Sequence, residues 1–169
     1  MKTLKVYQFF SYLKFLVLST NQHGVHSPFV YSLITKGLYQ KRNKNHNKSE
    51  HVLTTAISYF KYKRIGFVHT DDYIKEKIVA LFEDLEFNSL PFDLIYVEKN
   101  DKLFNSISPE SYHNNTMILL NGMHETKTRT ENWERIKKLP EVTVTIDLFY
   151  CSLVFFRKEQ AKEHFKIRI

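Results

Sequence analysis

Seven polar residues stand just past three short apolar runs of this sequence. His69, Asp71 and Asp72 follow Ile65–Val68, Glu98 and Asp101 follow Leu94–Val97, and Asn121 and His124 follow Met117–Leu120. If the runs are parallel strands, these side chains gather beyond the carboxyl ends of one sheet, where ligands of open α/β sheets bind. Imidazoles and carboxylates in one crevice can move protons or hold a metal. His69, Glu98 and His124 are the candidates for catalysis, and no metal site is expected. A plainer reading stays open, in which strand ends are polar because they meet solvent.

Two other constellations have the right residue types. His23-x-x-His26 precedes Ser27-Pro28. Two histidines without a third ligand make a poor metal site, so the expectation is structural, with ring nitrogens capping backbone groups around Gly24. In the segment Gln40 to Lys48, Lys41, Arg42, Lys44 and Lys48 can meet phosphates. No aromatic residue is interleaved there for base stacking, so nucleic acid is a weakly supported partner.

Composition narrows the classes. The chain has 169 residues, enough for one domain, and 43% are hydrophobic, which excludes a disordered chain. Only four glycines are present, so most Gly-rich phosphate loops are excluded. The single cysteine, Cys151, excludes an intrachain disulfide framework. It is expected as a small buried hydrophobe in a reducing, cytoplasmic setting. A net charge of +7 makes the protein basic and favours acidic partners, although spread charges also describe an ordinary solvated surface. In the first twenty residues, Lys5, Gln8 and Lys14 interrupt any signal peptide or membrane span. Val6, Phe9, Phe10, Leu13, Leu16 and Val17 share a helical face, expected to pack on the protein; a helix lying on a membrane surface is the alternative.

The elements that must position the polar residues can be read from the spacing. Ser27 caps a second helix with Pro28 in its first turn and Gly37 near its end. A third helix carries Val52, Leu53, Ala56, Ile57 and Phe60 on one stripe. From Arg64 onward, apolar runs alternate with helices: Tyr73–Leu85, burying Ile74, Ile78, Leu81, Phe82 and Leu85, and another around Trp133 and Ile136. Such alternation implies a parallel sheet covered by helices. The runs Val142–Phe149 and Leu153–Phe156 are too close for a crossover, so they are expected to form an antiparallel hairpin. "KEQAKEHFKIRI" begins helix-like and ends with strand-like alternation. One domain is expected, with N-terminal helices over 1–62 and an α/β core over 63–169.

Three helices, parallel strands and a closing antiparallel hairpin resemble the layout of class I S-adenosylmethionine-dependent methyltransferases. "YLKFLVLSTNQHGVHSPFVYSLITKGLY" is similar to the N-terminal extension of a bacterial branch of that superfamily, with its HGxHSPF motif. "ISYFKYKRI" resembles the approach to its first strand and "FDLIYVE" its fourth strand. The stretch from "MILLNGMHE" to the C-terminus resembles its fifth strand onward. The resemblance implies a Rossmann-like fold, with S-adenosylmethionine as the ancestral cofactor.

Departures from the family pattern bear on function. The family's first strand runs into a glycine turn that lets the backbone approach the cofactor. Here His69, Thr70, Asp71 and Asp72 occupy that position, a remnant of the cofactor site without glycine. The family continues with a helix, a second strand ending in an acid for the ribose hydroxyls, and a third strand. Thr70 to Pro91 leaves room for one helix and a turn, because each parallel crossover alone takes about a dozen residues. The resemblance suggests Asp-Gly-Asn-His after the fourth strand, where Glu98-Lys99-Asn100-Asp101 stands. After the fifth strand it suggests an acidic pair and then His, where Asn121-Gly122-Met123-His124 stands. The expected fold is a truncated Rossmann-like sheet of about five strands with an N-terminal helical cap. The expected function is that of a pseudoenzyme which has no cofactor and acts through protein binding. A working methyltransferase with an altered site and a basic nucleic-acid-associated module are the alternatives. The first strand should lie at a sheet edge, covered by the N-terminal helices or paired in a homodimer.

Overall fold

The computed structural model describes residues 2–87, 89–98 and 107–169; Asp101 lies outside them. Five α-helices and six strands form one mixed α/β unit. The helices are α1 (Lys2–Leu18), α2 (Pro28–Leu33, continued by a wider turn to Leu38), α3 (Lys48–Phe60), α4 (Asp72–Leu81) and α5 (Lys127–Lys138). The strands are β1 (Ile65–Val68), β2 (Phe92–Val97), β3 (Tyr112–Asn121), β4 (Val144–Asp147), β5 (Cys151–Phe155) and β6 (Glu163–Lys166), in the order β1-β2-β3-β5-β4-β6.

β1, β2 and β3 are parallel, β5 is antiparallel to both β3 and β4, and β6 runs parallel to β4. The hairpin anticipated from the two close apolar runs is therefore β4–β5, with its second strand inserted next to β3. Among the described residues there are six strands rather than about five. The extra one is β6, which follows a turn rather than a helical start. Its end is clamped where Thr20 bridges Ile167.

Both faces of the sheet are covered, so its strands read as unbroken apolar runs. Alternate residues serve the two faces. Leu94, Tyr96, Met117, Leu119, Leu153 and Phe155 pack against Val30, Leu33, Val52, Leu53, Ala56 and Ile57 of α2 and α3 and against Ile74 and Ile78 of α4. Ile95, Val97, Ile118, Leu120 and Val154 pack on the other side against Trp133 and Ile136 of α5.

α4 stops at Leu81, four residues short of the expected end. Phe82 leaves helical geometry at φ −138°, and Leu81, expected to be buried, is 48% exposed. Phe82, Leu85 and Phe87 pack on the core from irregular chain instead. The reason is seen at Glu86, which pairs with Arg64 as a single parallel bridge on the outer side of β1. Its N–H donates to the Lys63 carbonyl and its carbonyl accepts from the Ile65 N–H, both at 2.8 Å. Thus α4 carries the chain over the first face to the outer side of β1. α5 carries it over the second face in the opposite direction, from β3 to the parallel strand β4. Opposite directions over opposite faces give both connections the same hand, as crossovers between parallel strands require. The chain then reaches β2 on the inner side of β1.

α1 docks by a different face from the expected one. Phe15 and Ser19 are buried, and Tyr12 and Phe15 pack their rings on Phe149 at 4.8 and 5.5 Å. Val6, Phe9, Phe10, Leu13 and Val17 are 42–84% exposed. The helix is apolar on two sides, and periodicity alone cannot choose which of them meets the protein. His23 and His26 are also corrected. Both are exposed, and the capping is done by Asn21 Oδ1, which accepts from the His23 N–H, and by Ser27 Oγ, which accepts from the Val30 N–H.

Candidate functional site

β1 delivers Val68 to the junction where the cofactor turn was sought. His69 follows in the left-handed region at φ +50°, and the Thr70 hydroxyl donates to the Val68 carbonyl at 3.2 Å. Asp71 is the N-cap residue of α4. Its N–H donates to Glu98 Oε2 at 3.0 Å, and the Glu98 N–H donates to the Val68 carbonyl at 3.3 Å. A carboxylate of the chain itself therefore sits at the positive end of α4, the place where an anionic ligand group would be favoured. Asp72 is exposed and meets Lys75 at 3.3 Å. Gly66 serves packing rather than a ligand, because a Cβ there would come within 2.8 Å of the Phe92 ring.

β3 delivers a second group of polar side chains. Asn121 Oδ1 accepts from the Ser49 hydroxyl at 2.9 Å, and Asn121 Nδ2 lies 3.4 Å from the Tyr96 hydroxyl. Gly122 turns the chain out of the strand at φ +70°, a conformation that glycine adopts without steric cost. His124 then comes back over the end of β4. Its Nε2 lies 2.9 and 3.0 Å from the two Asp147 oxygens, and Asp147 also accepts from the Phe149 N–H at 3.0 Å. Phe149, itself left-handed at φ +68°, stacks flat on the imidazole with centroids 5.1 Å apart. Asp147 is 2% exposed. A carboxylate buried to that degree requires charged or donor partners, and the imidazole and the amide supply them.

This pair borders a cleft of about 460 Å³ lined by Gln8 of α1, Arg42, Lys48, Ser49, Asn121 and His124, among others. Lys48 Nζ donates to the Ile169 carbonyl at 2.7 Å and lies 4.5 Å over the Tyr150 ring. Burial, and next the charge of Arg42, draw Lys48 below the ordinary lysine range. Arg42 and Lys48 bring positive charge to the cleft, and Glu125, paired with Arg129, adds an acid to its lining. When His124 gives its Nε2 proton to the bond with Asp147, Nδ1 is left as an acceptor, the arrangement a general base uses.

The residues anticipated at the strand ends fall into two groups. Glu98, Asp71 and Thr70 come together at β1 and β2, and Asn121 and His124 come together beside α3. The cleft lined by Asn121 and His124 includes none of Thr70, Asp71 and Glu98. Of the basic segment, Arg42 and Lys48 reach the His124 cleft. Among the described residues, no group of three or more His, Cys, Asp or Glu is placed to hold a metal. Cys151 is fully buried, and burial pushes its thiol up to about 12. Sequence reasoning missed Asp147. Its signal was an acid ending the run Val142-Thr143-Val144-Thr145-Ile146, where a strand buried on both faces leaves a carboxylate no access to water. Ser49 carried no signal, because its role depends on how α3 meets β3.

No protein-family model matches this chain, and no curated protein matches it.

Proposed function

We propose that the chain is a shortened class I methyltransferase-like protein that no longer uses S-adenosylmethionine and acts by binding. The observation that carries this reading is the Arg64–Glu86 bridge. In the family, a helix leads from the first strand to a second strand that holds the ribose. Here α4 leads to the outer side of β1, where one residue pairs and the chain turns back. On this reading Glu86 is what remains of that second strand, and the sheet is a truncated Rossmann-like one. The bridge stands at the amino end of β1, four residues before Val68, or ~13 Å at the rise of a strand. No acid from it reaches the ligand side.

The methionine side supports the same conclusion, since Glu98 occupies the α4 amino end and the turn has no glycine. A buried ligand group without its partner loses ~1–3 kcal/mol, and each ~1.4 kcal/mol is about tenfold in affinity. At ~2 kcal/mol each, two or three such losses move an ordinary micromolar site to about millimolar or beyond. Past the Glu86 bridge, the outer side of Gly66–Val68 has no strand pairing among the described residues. That edge offers a place for a partner strand or a second copy.

One observation favours a second reading, an active methyltransferase with an altered site: the His124–Asp147 pair beside a cleft that Arg42 and Lys48 help to line. Isothermal titration with S-adenosylmethionine and S-adenosylhomocysteine separates the two. The binding reading expects no heat from either ligand at physiological concentrations, and micromolar binding of either would promote the enzyme.

A further inference from the structure

α1 presents to solvent a run of large apolar side chains that nothing in the fold covers. Val6, Phe9, Phe10, Leu13 and Val17 recur at helical spacing, opposite the Phe15 and Ser19 side that docks on the protein. Phe9 and Phe10 lie edge to face with centroids 5.7 Å apart, both more than half exposed. Isolated apolar residues on a surface need no explanation, but a contiguous patch of this kind marks an interaction site.

Charge and length select the occupant. The helix sequence KTLKVYQFFSYLKFLVL holds three lysines and no acidic residue, within a chain of net charge +7. A second copy of α1 would bring lysines to lysines with no carboxylate to meet them. Seventeen residues make a helix ~25 Å long. One face of such a rod falls short of the ~800 Å² per partner that a stable protein interface takes. An anionic lipid surface meets both conditions. Aromatic and aliphatic side chains enter the acyl boundary, while the exposed Lys14 reaches the headgroups. No helix of the described residues is long and apolar enough to cross a membrane, which fits a helix lying in the plane of the interface.

We infer that α1 docks the protein on anionic membrane surfaces through Val6, Phe9, Phe10, Leu13 and Val17. Docking is independent of whether the cofactor site works. The same helix contributes Gln8 to the His124 cleft, so a docked protein holds that cleft close to the bilayer.

Co-sedimentation of the full chain with lipid vesicles tests this. Vesicles of phosphatidylcholine with phosphatidylglycerol should pellet the protein, and phosphatidylcholine alone should pellet far less. Phe9→Ser with Leu13→Ser removes exposed apolar surface that would enter the bilayer and should weaken anionic-vesicle binding at least ~tenfold, with unchanged circular dichroism. Lys14→Glu should weaken anionic binding and reduce its salt dependence. Failure to pellet with anionic vesicles, or equal binding by the double variant, overturns the inference. So does a dimer, seen by analytical ultracentrifugation, that the double variant converts to monomer without any vesicle binding by the wild type; the face would then belong to a second copy.

Discussion

The Glu98 carboxylate accepts the Asp71 amide at 3.0 Å, bonding the residue after β2 to the N-cap of α4. The chain has filled its own anion position. Losing a helix-capping acceptor costs ~0.5–2 kcal/mol, so Glu98→Ala should lower stability by about 1 kcal/mol in urea unfolding. On the proposed reading, the same variant should gain no affinity for S-adenosylhomocysteine, because the ribose-binding strand is lost. Sub-millimolar binding by Glu98→Ala would mean that Glu98 merely shields an intact site.

Gly66 answers a second question about this junction. The glycine of β1 lies under the Phe92 ring, so Gly66→Ala should destabilise by ~1–3 kcal/mol through overpacking. Combining it with Phe92→Leu should recover part of that loss. A double-mutant cycle with no coupling would contradict the contact.

The same junction shows what can be read from sequence alone. The strands β1, β2, β3 and β5 and the hairpin were legible because strands buried on both faces are continuous apolar runs with short gaps. The end of α4 was not. Leu81, Phe82 and Leu85 keep helical spacing, but Glu86 is drawn into pairing with Arg64, a tertiary demand that spacing does not carry. α1 failed for a related reason, since both of its sides are apolar. At the site, His124 was found by its place after β3. Its partner Asp147 was not, because β4 lies one strand beyond β3, with β5 between them, an order that spacing along the chain does not carry.

Asp93 anchors the start of the sheet. It accepts from the backbone N–H groups of Lys63 and Arg64, from Arg64 Nη2 at 2.7 Å and from His113 Nε2 at 3.1 Å. Burial acts to raise its pKa, but the Arg64 side chain and amide, the Lys63 amide and His113 together hold it well below the usual carboxylate range. A carboxyl lowered by folding contributes fully above its unfolded value of ~4, and that contribution is lost as pH falls toward the folded value. Asp93→Asn should therefore cost about 2 kcal/mol at neutral pH, and the penalty should shrink steadily below about pH 4. Urea unfolding at pH 7 and pH 3 measures both; a penalty independent of pH would contradict the assignment.

Lys77 ties α4 to the start of α3. Its Nζ lies 2.7 Å from Glu50 Oε2 and 3.1 Å from the Asn45 carbonyl, and the bond to Glu50 raises its pKa. Glu50 is buried and closes the capping box with Asn47. Lys77→Met leaves that carboxylate without its cation and should cost about 1–3 kcal/mol at pH 7. Glu50→Gln, which can keep the capping bonds, should cost less. Equal losses would mean that leaving the Glu50 carboxylate without its cation carries no penalty of its own, contradicting the ion-pair account.

The central claim is that no S-adenosylmethionine site remains between β1 and α4. Crystals soaked with millimolar S-adenosylhomocysteine test it most directly. The expected density map shows no ligand beside His69 to Asp72, with Glu98 still bonded to the Asp71 amide. A nucleoside ordered against those residues, with Glu98 displaced, would contradict the account.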